Sequence, residues 1–338
     1  MLNVWNQAVW ERFRAIPLGA GGAVLLAGPR GVGKRSFART LAKALLCPRA
    51  RGEAEGCGDC ASCRLFEAGS HPDFRRMEPS AEDAGADASA AQAGSAGSGG
   101  ARVITVGQVR ELAQFLDLTS HFGGAKVVLI QPADRMHASA ANALLKTLEE
   151  PTAGTLFLLV ADHPNSLPVT VRSRCLRIDF QVPSREVALR WLVEKGVREP
   201  EIALAQAGFA PLAAERMAQG EFWERRRTLT DALSSVDVDP ERLTAQVDAA
   251  DLAQFWGLLC RWCYDLMSLR LAGQVRYNPD YAEKLSRLAD NADVLALNNM
   301  LKELIAAGRA LDHPLNPRLV VEQLAIQYTR AIAAQPSS

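Results

Sequence analysis

The chain has 338 residues, 48% of them hydrophobic and 22% charged, with 38 basic side chains against 38 acidic ones. That length holds two or three domains with real cores, and the zero net charge leaves no chain-wide basic field to hold nucleic acid or an acidic membrane. The N-terminus shows no basic and then apolar leader pattern and no apolar run reaches about 18 residues, so a soluble cytoplasmic protein with no membrane partner is expected.

Ala23 to Ala27 is a short apolar run that leads into Gly28-Pro29-Arg30-Gly31-Val32-Gly33-Lys34-Arg35-Ser36. Strand, glycine loop and helix in this order, spaced G-x-x-x-x-G-K, form a phosphate-cradling P-loop in which backbone N–H groups and a lysine face an anion. Gly28, Gly31, Gly33 and Lys34 are the candidate nucleotide-binding residues. The magnesium-binding hydroxyl that should follow the lysine is replaced by Arg35. Ser36 comes one residue late, turned by about 100 degrees on a helix, so magnesium is not expected and ATP binding is doubtful.

A helix over Phe37 to Leu46 ends at Cys47, and Cys57, Cys60 and Cys63 follow in the pattern C-x9-C-x2-C-x2-C. Four thiolates in a compact, glycine-containing excursion suit tetrahedral zinc, with no open position and hence a structural role. The loop mixes Glu53, Glu55 and Asp59 with Arg49, Arg51 and Arg64, so DNA contact through it is not indicated. Ser80 to Gly100 is rich in Ala, Gly, Ser and Asp and is expected to be a flexible insertion. Extended chain at 103–106 and a helix from Gly107 to Leu118 come next, then a loop carrying His121.

Val127 to Ile130 is an apolar run typical of a buried parallel strand. Nucleotide-hydrolysing P-loop proteins end this strand in a magnesium-binding Asp and, in many ATPases, a water-activating Glu; here Gln131 and Pro132 stand there. Ala141, Leu144, Leu145 and Leu148 recur at helical spacing up to Pro151. Leu156 to Val160 reads as another buried strand, and Leu176 to Phe180 as a short one. From Val182 only helices are expected: a small lid to about Gly220, then amphipathic stretches over 252–266, 294–311 and 318–334. Cys260 and Cys263 lie on an apolar helical stripe and are read as core.

GPRGVGKR, the four-cysteine insertion, His71-Pro72-Asp73-Phe74, NALLKTLEEP at 142–151 and LPVTVRSRC at 167–175 together resemble the bacterial clamp-loader ATPase family of DNA polymerase III. The specific motifs cover about the first 180 residues, and the remainder is similar only in helical layout. The resemblance implies an α/β AAA+ P-loop core over 1–180 with a zinc module at 47–63 and the insertion at 80–100. An all-α remainder follows, with a helical lid over 181–220 and a C-terminal helical collar over 221–338. Members that hydrolyse ATP keep the acids and the hydroxyl that are missing here, and a polar sensor where Ala161 stands; a lid arginine of theirs falls on Pro211. The chain therefore resembles the family's non-hydrolysing stator. Arg174, within Ser173-Arg174-Cys175, matches the arginine finger that family members point at a neighbour's ATP. Implied partners are the gamma/tau and delta subunits, with the sliding clamp and primed DNA met through the assembly at the nucleoid. The alternatives are a working motor that binds magnesium through Ser36 or Asp134, and a zinc module that binds nucleic acid.

Overall fold

The computed structural model describes residues 2–16, 21–50, 55–79, 103–235, 238–247, 251–310 and 316–333. The insertion expected at 80–100 lies outside the described residues. Those described fall into two compact units, one running up to Pro183 and the other from Ser184.

The first unit is built on five parallel strands, β1 (Gly22–Ala27), β2 (Phe74–Met77), β3 (Lys126–Ile130), β4 (Thr155–Ala161) and β5 (Leu176–Asp179), in the order β2-β3-β4-β1-β5. The three central strands are apolar almost throughout and nearly all fully buried, as expected when helices cover both faces of a sheet. Leu25, Ala27, Val128, Ile130, Phe157 and Leu159 face α4 (Val106–Asp117) and α5 (Ala138–Glu149). Alternate residues such as Val24 and Leu26 take the other face. Phe37 of α2 (Lys34–Leu46) is buried and meets Trp10 of α1 (Gln7–Arg14) and Phe180 edge-on, with ring centroids 6.2 and 5.1 Å away.

Two local expectations change. Only Ile104 of the extended stretch at 103–106 pairs, as a single bridge to Met136, and α4 already starts at Val106 because Thr105 caps it in a capping box with Gln108. β2 carries no apolar alternation: it is an edge strand in which Arg75 and Arg76 are exposed. Lys126 is buried without a carboxylate. Its ammonium donates to the carbonyls of Phe115 (2.8 Å), Leu116 and Leu118 at the end of α4, where the helix dipole favours a cation.

The second unit is all helical. α7 (Arg185–Glu194), α8 (Pro200–Gln206) and α9 (Pro211–Met217) share a small apolar cluster of Ala188, Leu192, Ala203, Leu204 and Ala214. A larger cluster is formed from α10 (Phe222–Leu233) and α11 (Pro240–Ala245) with α12 (Leu252–Ala272), α13 (Ala282–Asn291), α14 (Val294–Ala310) and α15 (Pro317–Ala333). Cys263 is fully buried in it, and burial pushes its thiol well up and that of Cys260 to about 11, the chemistry of core cysteines. Trp262 donates to the Tyr328 hydroxyl at 2.8 Å, which donates to the Leu233 carbonyl at 2.7 Å. The fully buried Asp265 accepts from the backbone N–H groups of Arg276, Tyr277 and Asn278. The Asn278 side-chain oxygen accepts in turn from Gln206 of α8 and Arg226 of α10. Among the described residues no helix is long and apolar enough to cross a membrane.

Candidate functional site

The glycine loop leaves the C-terminal end of β1, and β4 ends beside it because Ala27 and Ala161 are paired. The two neighbouring strands therefore deliver Gly28 and Asp162 side by side. Gly28 and Gly33 have positive φ values of 149° and 99°, and a Cβ at Gly28 would collide with the Phe180 carbonyl oxygen. Only glycine suits both.

Lys34 opens α2 with its side chain 2% exposed. Its ammonium donates to the carbonyls of Gly28 (2.6 Å) and Pro29 (2.7 Å) and pairs with Asp162 at 2.7 Å. Burial lowers its pKa, and the Asp162 carboxylate opposes part of that fall. The loop lysine is thus neutralised by an acid of its own chain. Ala161 points into the strand core, so the polar group at the end of β4 is Asp162, one residue later than the sequence pattern suggests.

The entry to α2 is also covered. The side chains of Trp5 and Asn6 both donate to the Val32 carbonyl, at 2.9 and 3.0 Å, and Asn3 and Asn6 pack against Gly33. Ser36 is exposed and donates to the Gly33 carbonyl at 2.9 Å. Arg35, in the place of the hydroxyl residue, is exposed as well. At the end of β3, the Gln131 side-chain nitrogen donates to Glu78 at 2.9 Å, and its oxygen is buried without a hydrogen bond. Asp134 accepts from the backbone N–H groups of Asp162 and His163, at 3.1 and 3.0 Å.

Cys47, Cys57, Cys60 and Cys63 come together, one sulfur from each within 4.8 Å of the others. Cys47 follows α2 and Cys60 caps α3 (Ala61–Glu67), which carries Cys63. The Cys47 and Cys60 sulfurs are 3.9 Å apart, close to the edge of about 3.8 Å that a tetrahedron of about 2.3 Å zinc–sulfur bonds requires. The N–H of Cys57 donates to the Cys47 sulfur and that of Cys63 to the Cys60 sulfur, both at 3.4 Å. Backbone donors from Cys60 and Asp59 pull Cys57 down to about 6, while burial pushes Cys63 up to about 12. Four soft donors of which three are buried fit a tetrahedral metal such as zinc, whose charge would stabilise all four as thiolates. Gly56 closes the cluster, since a Cβ there would stand 3.0 Å from the Cys63 sulfur. Of the nearby cations, Arg39 and Lys43 both bind Glu67.

The HPDF motif joins this module to the sheet. His71 accepts from the Asp73 N–H at Nδ1 (3.0 Å), so its proton sits on Nε2 and is donated to Ser62 (2.9 Å), whose hydroxyl is donated to the Leu46 carbonyl (2.7 Å). The buried Asp73 carboxylate accepts from Ser120 and from the backbone N–H groups of His121 and Phe122. Burial lowers the His71 pKa, with the Asp73 charge opposing. The folded state therefore favours neutral His71: its stability is full above the ordinary histidine pKa of about 6.5 and falls as pH drops through the window between that value and the lowered one. Melting temperatures followed across that window should decline in the wild type, and the decline should be shallower in His71→Gln.

Arg174 follows α6 (Val169–Arg172) and its side chain is 30% exposed. Its Nε donates to Glu149 at 2.7 Å, its Nη2 also binds that carboxylate oxygen, and its Nη1 donates to the Thr170 carbonyl at 2.9 Å. The neighbouring arginines have other partners: Arg172 donates to Asn165 at 3.2 Å and Arg177 to Asp179 at 2.8 Å. The structure thus keeps Lys34 and the glycines at one end of β1, gathers the four cysteines beside α2, and sets Arg174 apart on Glu149. Asp162, His71, Asp73 and Glu149 are the interacting residues that sequence reasoning did not single out. NALLKTLEEP and HPDF, already recognised as motifs, contain three of them.

These features define a class: a parallel α/β P-loop core of AAA+ type with a four-cysteine module, followed by an all-helical C-terminal unit. Residues 20–184 match the sequence profile of the family described as DNA polymerase III, delta subunit, and residues 220–330 that of DNA polymerase III, delta subunit, C terminal. The chain is 35% identical over 300 residues to DNA polymerase III subunit delta' of Pseudomonas aeruginosa, covering 86% of this chain and 82% of that protein. It is 37% identical over 243 residues to DNA polymerase III subunit delta' of Haemophilus influenzae, covering 67% of each. A similar solved structure is a DNA polymerase III gamma subunit-related protein of Thermotoga maritima, at 17% identity, with 96% of this chain and 99% of that one covered and a TM-score of 0.45. The chain belongs to the family of DNA polymerase III delta' subunits.

Proposed function

We propose that the chain is a non-hydrolysing stator of the clamp loader that supplies Arg174 in trans to ATP bound by a neighbouring subunit. The observation that carries this reading is the contrast between its own P-loop, whose lysine is spent on Asp162, and an Arg174 that remains partly exposed on the SRC motif. Its partners would be the gamma/tau motors and the delta subunit, and through them the sliding clamp and primed DNA. The division into core (1–180), lid (181–220) and collar (221–338) belongs to the same proposal, with zinc held by the four cysteines.

Chemically, the core lacks what hydrolysis requires. The acids of β3 are replaced by Gln131 and Pro132, and the residue directly after Lys34 is Arg35 instead of one with a hydroxyl. The motor alternative needs Ser36 or Asp134 to hold magnesium, yet Ser36 is turned onto its own loop carbonyl and Asp134 is spent on two backbone N–H groups. A bound triphosphate would also have to displace Asp162 from Lys34. Asp162→Asn is therefore expected to bind ATP at least about tenfold more tightly than the wild type in a titration, with no turnover gained, since removing a competing charge worth about 1.4 kcal/mol is a factor of ten. Assembly with motor subunits, comparing Arg174 with alanine in clamp- and DNA-stimulated ATPase, tests the trans role: a fall supports it and an unchanged rate removes it.

A further inference from the structure

Within the chain, Arg174 is held from the side of α5. Glu149, the last residue of that helix, takes both Nε and Nη2 on a single carboxylate oxygen, and the Thr170 carbonyl takes Nη1. Ser173 lies at the limit of reach, 3.5 Å from Nη1. A guanidinium has five N–H groups, so these contacts leave at least one unspent for a phosphate oxygen. The cation also stands beside the C-terminal end of α5, where the helix dipole favours positive charge.

Stability is a poor reason for this pair. The Glu149 side chain is 48% exposed and Arg174 30%, and ion pairs at such exposure contribute about 0–1 kcal/mol. What the geometry does accomplish is orientation. An arginine carries four side-chain torsions, and fixing its inner edge at two points removes most of that freedom before a ligand arrives. Lys146 is the other cation near this end of α5, yet it is Arg174 that binds Glu149, from 25 residues away in sequence.

We propose that Glu149 is the positioning residue for Arg174, orienting its guanidinium toward the phosphate of an ATP bound by a neighbouring subunit; this rests on the trans role proposed above. Glu149 does not touch the nucleotide. It acts by setting where the positive charge stands, so its loss should slow the chemical step and leave nucleotide affinity nearly intact.

The test is steady-state ATPase of the reconstituted clamp loader with clamp and primed DNA, with kcat and KM for ATP measured for the wild type, Glu149→Ala, Glu149→Gln and Arg174→Ala. Glu149→Ala is expected to lower the kcat of the dependent site about tenfold with KM within about twofold, as for a misplaced but present catalytic group. Glu149→Gln keeps an acceptor oxygen for Nε and Nη2 and should recover to within about threefold of wild type. The melting temperature and assembly of each variant should match the wild type, which a merely structural role for Glu149 would not allow. If Glu149→Ala turns over as fast as wild type or faster while Arg174→Ala is impaired, positioning is overturned and the trans role stands. If Arg174→Ala is itself unimpaired, the trans role fails and positioning fails with it.

Discussion

Replacing Arg174 by alanine in the assembled complex is expected to lower turnover at the neighbouring ATP site proposed for it by at least about a hundredfold. Arginine fingers in well-studied GTPases contribute about 10³ to 10⁵ in rate by neutralising charge that develops on the transferred phosphoryl group. Arg174 is only partly exposed and ion-paired on its own chain, so removing it should not disturb folding, and ATP affinity should change far less than rate. Single-turnover hydrolysis separates the two, since it reads the chemical step directly.

The second large effect concerns the metal. Cys60→Ser, or chelation of the wild-type protein, is expected to release one zinc equivalent and to destabilise the module by on the order of 4–5 kcal/mol, in the large-effect tail to which loss of a metal belongs. Cys60 caps α3 by accepting the Cys63 N–H at its sulfur, a bond the serine hydroxyl can take over, so the substitution isolates the loss of the metal. The consequence should reach the sheet: α3 carries Ser62, which accepts from His71 at the entry to β2. Metal content by emission spectroscopy, paired with thermal melts, reads both. A protein as stable without metal as with it would show that the cysteines hold each other and nothing else.

Much of the core was legible because its signals are local. The run Ala23–Ala27, the glycine spacing and Lys34 announce a strand, a turn and a helix within a dozen residues, and C-x2-C-x2-C announces a cluster whose members are neighbours in sequence. The replacements at Arg35, Gln131 and Pro132 were legible for the same reason, as departures from a known spacing.

What escaped was set by contacts across the chain. Asp162 has meaning only because β4 lies beside β1, and strand order is not written in periodicity. Phe74–Met77 is an edge strand with Arg75 and Arg76 exposed, so it lacks the apolar signature by which β3 and β4 were found. Glu149 and Arg174 are 25 residues apart and meet because α5 ends near the turn after α6. α10, α11 and α13 were not singled out because no stripe as long as that of α12 runs through them, and Asp265 reveals its role only once α12 and the turn at Arg276–Asn278 are seen together.

The most direct test of a stator that acts through Arg174 and not through its own P-loop is a paired substitution in one reconstituted complex. Lys34→Met with Asp162→Asn removes the P-loop lysine and its counter-ion together, leaving no unpaired buried charge; Arg174→Ala removes the group proposed to act on the neighbour. The expected result is ATPase unchanged by the first change and reduced by the second. The opposite pattern, turnover lost with Lys34 and kept without Arg174, would mean that the chain is itself a motor.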